Sequence, residues 1–130
     1  MSKFVLDASA LLALLNDEPG AERLPAESDL MRSAVMSTVN LAEAQGKLVS
    51  SGIPSKDAWE ALLAPISEVS DFSQEQAKWA GTLISQTRML GLSLGDTACL
   101  ALALALGVPV YTAHRQWAKL DLGIPIHVIR

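Results

Sequence analysis

The chain has 130 residues, of which 50% are hydrophobic and 18% charged, and its net charge at pH 7 is −4. So apolar a composition at the length of one ordinary domain excludes intrinsic disorder, and it supports a core without disulfide or zinc staples. The acidic balance excludes a broad basic surface for nucleic acid, and the lone thiol, Cys99, excludes an intrachain disulfide.

Residues 1–130 read as one domain with no linker-like shift in composition. Asp7 interrupts the N-terminal apolar run too early for a signal peptide, and the longest apolar stretch, 98–110, is too short to cross a bilayer. With a single cysteine, the expected compartment is a reducing cytoplasm, with no membrane partner.

In chain order, Lys3 to Leu6 is a short apolar strand ending at an acid, and Ala10 to Leu15 is a helical run stopped by Asn16 and Pro19-Gly20. The polar stretch Gly20 to Glu27, with Pro25 inside it, predicts a short helix. Ser33 to Met36 fits a second strand, after which Ser37 or Thr38 caps a helix running to Ser50. Pro54-Ser55 opens a further helix that Pro65 ends. Ile66 to Phe72 alternates as a third strand. Ser73 caps a long amphipathic helix reaching Gly91, with apolar residues every three or four positions. Ser93 opens an alanine- and leucine-rich helix that ends at Gly107. Val108 to Thr112 is a fourth strand, His114 to Lys119 a helical turn, and Pro125 to Ile129 the last strand.

This alternation predicts an α/β fold: a central five-stranded parallel sheet with helices on both faces. Ligands of such sheets collect beyond the carboxyl ends of the strands, where strand order reverses. Asp7 ends the first strand, Glu43 lies early in the helix after the second, Asp96 opens the helix before the fourth, and His114 follows the fourth. Carboxylates converging without basic partners repel one another unless a cation intervenes, and hard divalent ions such as magnesium or manganese prefer such oxygen donors. Each residue also has a structural alternative. Asp7 can cap a helix, Ser93-Leu94-Gly95-Asp96 has the form of a capping box, and Glu43 stands four residues before Lys47, the spacing of a surface ion pair.

Four segments carry a family likeness that runs nearly end to end: Val5-Leu6-Asp7-Ala8-Ser9-Ala10-Leu11, Ser37-Thr38-Val39-Asn40-Leu41-Ala42-Glu43, Leu92-Ser93-Leu94-Gly95-Asp96-Thr97-Ala98 and Val110-Tyr111-Thr112-Ala113-His114. The sequence resembles the PIN domains, and more narrowly the VapC-type ribonuclease toxins of toxin–antitoxin pairs. The resemblance implies a metal-dependent endoribonuclease with Asp7, Glu43 and Asp96 as its catalytic, Mg2+- or Mn2+-binding acids, and Ser9, Asn40, Thr97 and Thr112 as supporting polar groups. It also implies a cognate antitoxin that blocks the acidic pocket, a homodimer, and RNA products bearing a 5′-phosphate and a 3′-hydroxyl. One departure stands out: the family usually has an aspartate where this chain has His114. A neutral imidazole still ligates metal and tilts preference toward manganese, but brings no negative charge.

Arg115 and Lys119, four apart beside His114, form a candidate positive rim for RNA, or a solvated helical face. Cys99 reads as core packing. Trp59 and Trp79 read as core or homodimer contacts, Trp117 as packing or a base-stacking surface, and His127 as structural or exposed. Two rival readings remain. One is a catalytically impaired PIN-like module that binds RNA or protein. The other is a phosphoryl-transfer receiver, disfavoured because the first strand ends in one acid and no lysine ends a late strand.

Overall fold

The alternation of side chains along β1 (Phe4–Leu6) divides the molecule into two layers, because successive strand residues point to opposite sheet faces. Phe4 and Leu6 enter one apolar cluster with Met36, Leu11, Leu41 and Leu62, whereas Val5 enters the other with Val35, Val110, Leu100 and Trp117. The computed structural model describes residues 2–130, and β1 is the middle strand of its sheet.

The other strands are β2 (Ala34–Ser37), β3 (Glu68–Ser70), β4 (Val110–Thr112) and β5 (Ile126–Val128). All pairings are parallel and the order is β3-β2-β1-β4-β5, so the reversal of strand order falls between β1 and β4. The predicted five-stranded parallel sheet is therefore present. Its helices are α1 (Ala8–Leu15), α2 (Glu27–Ser33), α3 (Thr38–Ser50), α4 (Ser55–Leu63), α5 (Gln74–Thr82), α6 (Ile84–Thr87) and α7 (Leu94–Leu106). The cluster containing Phe4 and Leu6 takes residues of α1, α3 and α4, and that containing Val5 takes residues of α7.

Three segments differ from the sequence expectation. The predicted helix over 20–27 is only a 3₁₀ turn, Ala21–Arg23, and the helix that follows it, α2, has no counterpart in the sequence pattern. Among α2 residues only Leu30 and Ser33 are buried, too few to write a period, though Glu27, Asp29 and Arg32 complement its dipole. The long helix expected from Ser73 to Gly91 breaks into α5, α6 and a 3₁₀ turn, Arg88–Leu90. At the break, the hydroxyls of Thr82, Ser85 and Thr87 donate to the carbonyls of Lys78, Thr82 and Leu83, back-bonding that bends helices. The third strand keeps only three of seven expected residues, because β3 is an edge strand whose Glu68 and Val69 are exposed.

Gly20 lies at φ +98°, and a Cβ there would collide with the carbonyl of Ile129, so the loop after α1 closes onto the end of β5 only with glycine. Cys99 is fully buried, as expected, and burial pushes its thiol well above the usual range. Trp117 is also fully buried, which decides for packing over base stacking. Trp59 and Trp79, at 41% and 45% exposure, are not core residues. His127 is exposed and stacks on Tyr111 at 4.7 Å. No helix among the described residues is long and apolar enough to cross a membrane.

Candidate active site

Asp7 sits between β1 and α1 and serves both. As the helix N-cap it accepts a hydrogen bond from the Ala10 amide at Oδ1, 2.9 Å. The Ser9 hydroxyl donates to the same oxygen at 2.7 Å, and the Thr112 hydroxyl, from the end of β4, donates to Oδ2 at 2.8 Å. Ser9 Oγ in turn accepts from the Ala113 amide at 2.9 Å, and Thr112 Oγ1 accepts from the His114 amide at 3.0 Å. Two sequence-distant loops are thereby tied together at the point where strand order reverses. The carboxylate is only 2% exposed. Burial raises its pKa above 3.8, and the donors from Ser9, Ala10 and Thr112, with nearby His114, offset this only in part.

Asp96 arrives from the first turn of α7. The capping box spelled by Ser93-Leu94-Gly95-Asp96 is complete: the Asp96 amide donates to Ser93 Oγ at 3.2 Å and the Ser93 amide to Asp96 Oδ2 at 3.0 Å. That uses Oδ2 and leaves Oδ1 directed at His114 Nε2, 3.8 Å away. His114 Nε2 is also 3.6 Å from Asp7 Oδ2. One ligand atom each from Asp7, Asp96 and His114 thus lies within 4.8 Å of the others.

Glu43 stands beside this trio through Asn40 and Gly95. The Asn40 amide group donates to Glu43 Oε1 at 3.0 Å and to the Gly95 carbonyl at 2.9 Å, joining α3 to α7. A Cβ on Gly95 would land on the Glu43 carboxylate, so the missing side chain is the space that Glu43 occupies. All three acids also act electrostatically on the buried Cys99 thiol, each raising its pKa, which sets them around one small region. Glu43 makes no ion pair with Lys47, since its partner is Asn40.

The remaining expected residues divide. Ser9, Asn40 and Thr112 support the acids directly. Thr97 does not: its hydroxyl turns back to the Ser93 and Leu94 carbonyls inside α7. Arg115 and Lys119 part company, Arg115 lining a cleft with Arg23 and Arg130, and Lys119 one with Met89 and Asp121. Gly95 is the contributor that sequence reasoning does not single out. The one available sign is a poor helix former in the first turn of an otherwise strong helix.

The donor set suits a hard divalent cation. It offers two carboxylates and an imidazole within reach of one ion, and a third carboxylate beside them. Beside Glu43, Asn40 Oδ1 is a buried acceptor with no hydrogen-bond partner among the described residues. An apolar hollow of about 440 Å³ lined by Leu14, Leu15, Leu30 and Ala61 shares no residue with these groups and has a single carboxylate, Glu27, in its lining.

The PIN domain family model matches residues 4–122. The chain is a PIN domain. Solved structures share the fold at low identity. A DNA-bound VapBC from Salmonella typhimurium is 19% identical, with 100% of both chains covered and a TM-score of 0.79. VapC20 of Mycobacterium tuberculosis, a sarcin-ricin loop cleaving toxin, is 17% identical over 90% of this chain and 94% of that one, with a TM-score of 0.74. VapBC2 from Rickettsia felis, bound to a promoter DNA fragment, is 18% identical over 96% and 97%, with a TM-score of 0.73. No curated protein matches the sequence. In this PIN domain the acidic cluster occupies the switch point between β1 and β4, with His114 as its fourth member.

Proposed function

We propose that this PIN domain is a metal-dependent endoribonuclease, the toxin of a VapC-type toxin–antitoxin pair, hydrolysing RNA phosphodiester bonds with Mg2+ or Mn2+. The observation that carries the reading is the convergence of Asp7, Asp96 and His114 within 4.8 Å, with Glu43 seated beside them over Gly95. The VapBC complexes that share its fold support an antitoxin partner.

In this reading Asp7, Asp96 and His114 would hold the ion, and Glu43 would ligate it through water or orient the attacking water. When bound, such an ion lowers the pKa of a coordinated water and neutralises charge on the phosphate. The protein's part is orientation and proton handling. Ser9, the Ala10 amide and Thr112 hold the Asp7 carboxylate in one rotamer. The Ser93 amide holds that of Asp96. Asn40 engages Glu43 Oε1, which leaves Oε2 to accept the proton of the attacking water.

The test is incubation of the protein with total tRNA, ribosomal RNA and messenger RNA in Mg2+ or Mn2+. Cleavage abolished by EDTA and by Asp7→Asn supports the reading. RNA left intact at all metal concentrations sinks it. The second reading, an RNA- or partner-binding module without turnover, is favoured by one observation: His114 stands where the family usually supplies an acid. Metal-independent RNA retention without cleavage would establish it.

A further inference from the structure

Beside the carboxylates lies a polar cleft of about 400 Å³, whose lining includes Ser9 and His114 from the site and Lys47, Glu18 and Arg130 from beyond it. Lys47 is one helical turn after Glu43 on the same face of α3, a rise of about 6 Å. Lys47 forms no ion pair among the described residues and is exposed.

Arg130 enters the cleft from the other side of the fold. Its Nε donates to the Pro19 carbonyl at 3.0 Å, and its Nη2 pairs with Glu18. Those contacts use two of the five guanidinium donors and fix the plane of the group, leaving the others for an oxyanion. Glu18 offsets the charge of Arg130, so the uncompensated positive charge of this wall is that of Lys47, next to a site built from acids. Arg130 also lines the adjoining cleft that contains Arg23 and Arg115 with one acid, Glu22, so basic groups continue outward.

We propose that Lys47 and Arg130 are positioning residues that hold the RNA phosphate next to the scissile one. The proposal rests on the endoribonuclease reading and adds to it the direction of the bound strand: from the carboxylates, past His114, along the Lys47–Arg130 cleft. A chain of net charge −4 needs local positive charge to hold a polyanion, and this wall adjoins the cutting site. A flanking phosphate keeps its charge throughout the reaction, so these residues bind ground state and transition state alike and act on KM, not kcat.

The experiment is cleavage of a fluorescein-labelled, random-sequence RNA pool in Mn2+, with apparent KM and kcat measured at several KCl concentrations. For Lys47→Ala/Arg130→Ala the expected KM rise is about tenfold with kcat little changed, and the slope of log KM against log [KCl] falls by about 1.4, as for two lost contacts to a single strand. Lys47→Ala alone removes an exposed, unpaired side chain and gives about half the slope change, which guards against misfolding of the double variant. Lys78→Ala, on α5, leaves KM and slope unchanged. If wild-type protein cleaves and Asp7→Asn abolishes cleavage, yet the cleft variants keep their KM and slope, or lose only kcat, the cleft assignment falls and the nuclease reading stands. An equal effect of Lys78→Ala also overturns it. If the wild-type protein cleaves no RNA, both fall together.

Discussion

The two carboxylates that anchor the site are built in opposite ways. Asp7 is buried and held at one oxygen by Ser9 and Ala10 nearby and at the other by Thr112 from 105 residues away, so its placement depends in part on the sheet closing. Asp96 is partly exposed and held by Ser93, three residues back, so its placement is local to the first turn of α7. Both carboxylates take part in capping a helix, but Asp7 does so as a desolvated charge, whereas Asp96 stays partly in water. Equal importance to chemistry should therefore accompany unequal importance to folding.

The largest expected effect tests the shared half of that comparison. Asp7→Asn and Asp96→Asn each remove one negative charge from the proposed metal site with almost no change of shape, and each should lower the proposed RNA cleavage at saturating Mn2+ by at least about a hundredfold. Retention of activity in either variant would remove that residue from the metal-binding set. His114→Asp probes the residue between them. A fourth carboxylate, added to Asp7, Asp96 and Glu43, should tighten Mg2+ binding by about tenfold, read by calorimetry, and raise activity in Mg2+ relative to Mn2+. Unchanged affinity would show that His114 does not face the ion.

Gly95→Ala sharpens the comparison from the Asp96 side. The new methyl takes the space of the Glu43 carboxylate, the mobile end of a long side chain, so Glu43 moves and the fold does not. The expected loss of kcat is about tenfold, the scale of an outer-shell change, while Ala in a helix keeps or raises thermal stability. A fall in stability with kcat intact would mean that α7, not Glu43, gives way.

The same local-versus-distant division explains what is legible in the sequence. Strand ends are written locally, so the apolar run ending at Asp7, the run ending before His114, and the Ser93–Asp96 box mark three site members from neighbouring residues alone. The break between α5 and α6 is not legible, because apolar spacing continues through Leu83 and Thr87 while the interruption comes from hydroxyls bonding to carbonyls. The helix α2 leaves no pattern for lack of buried positions. Thr97 has the right neighbours in sequence, yet its hydroxyl serves the α7 backbone. The Asn40–Glu43 pair is an i, i+3 contact within α3, but the role of Gly95 arises only when α3 meets α7, and nothing within either helix encodes that meeting.

The smallest expected effect separates the two carboxylates most cleanly, because it is read in stability with metal removed. The folded-state pKa of Asp7 is raised above 3.8, so on raising pH the unfolded chain loses this proton before the folded one does. Through that window the native state binds more protons, stability falls with rising pH, and above it the cost of the buried charge persists. Asp7→Asn removes that cost while its amide oxygen still accepts from the Ala10 amide. In EDTA at pH 7 its Tm should exceed that of the wild-type protein, and the advantage should shrink as pH falls toward 3.8. Asp96→Asn keeps an oxygen for the Ser93 amide and loses a charge that water already screens, so its Tm should stay within about 2 °C of the wild-type value. A destabilised Asp7→Asn protein would show that the donors around this carboxylate outweigh its desolvation, and the asymmetry between the two halves of the site would disappear.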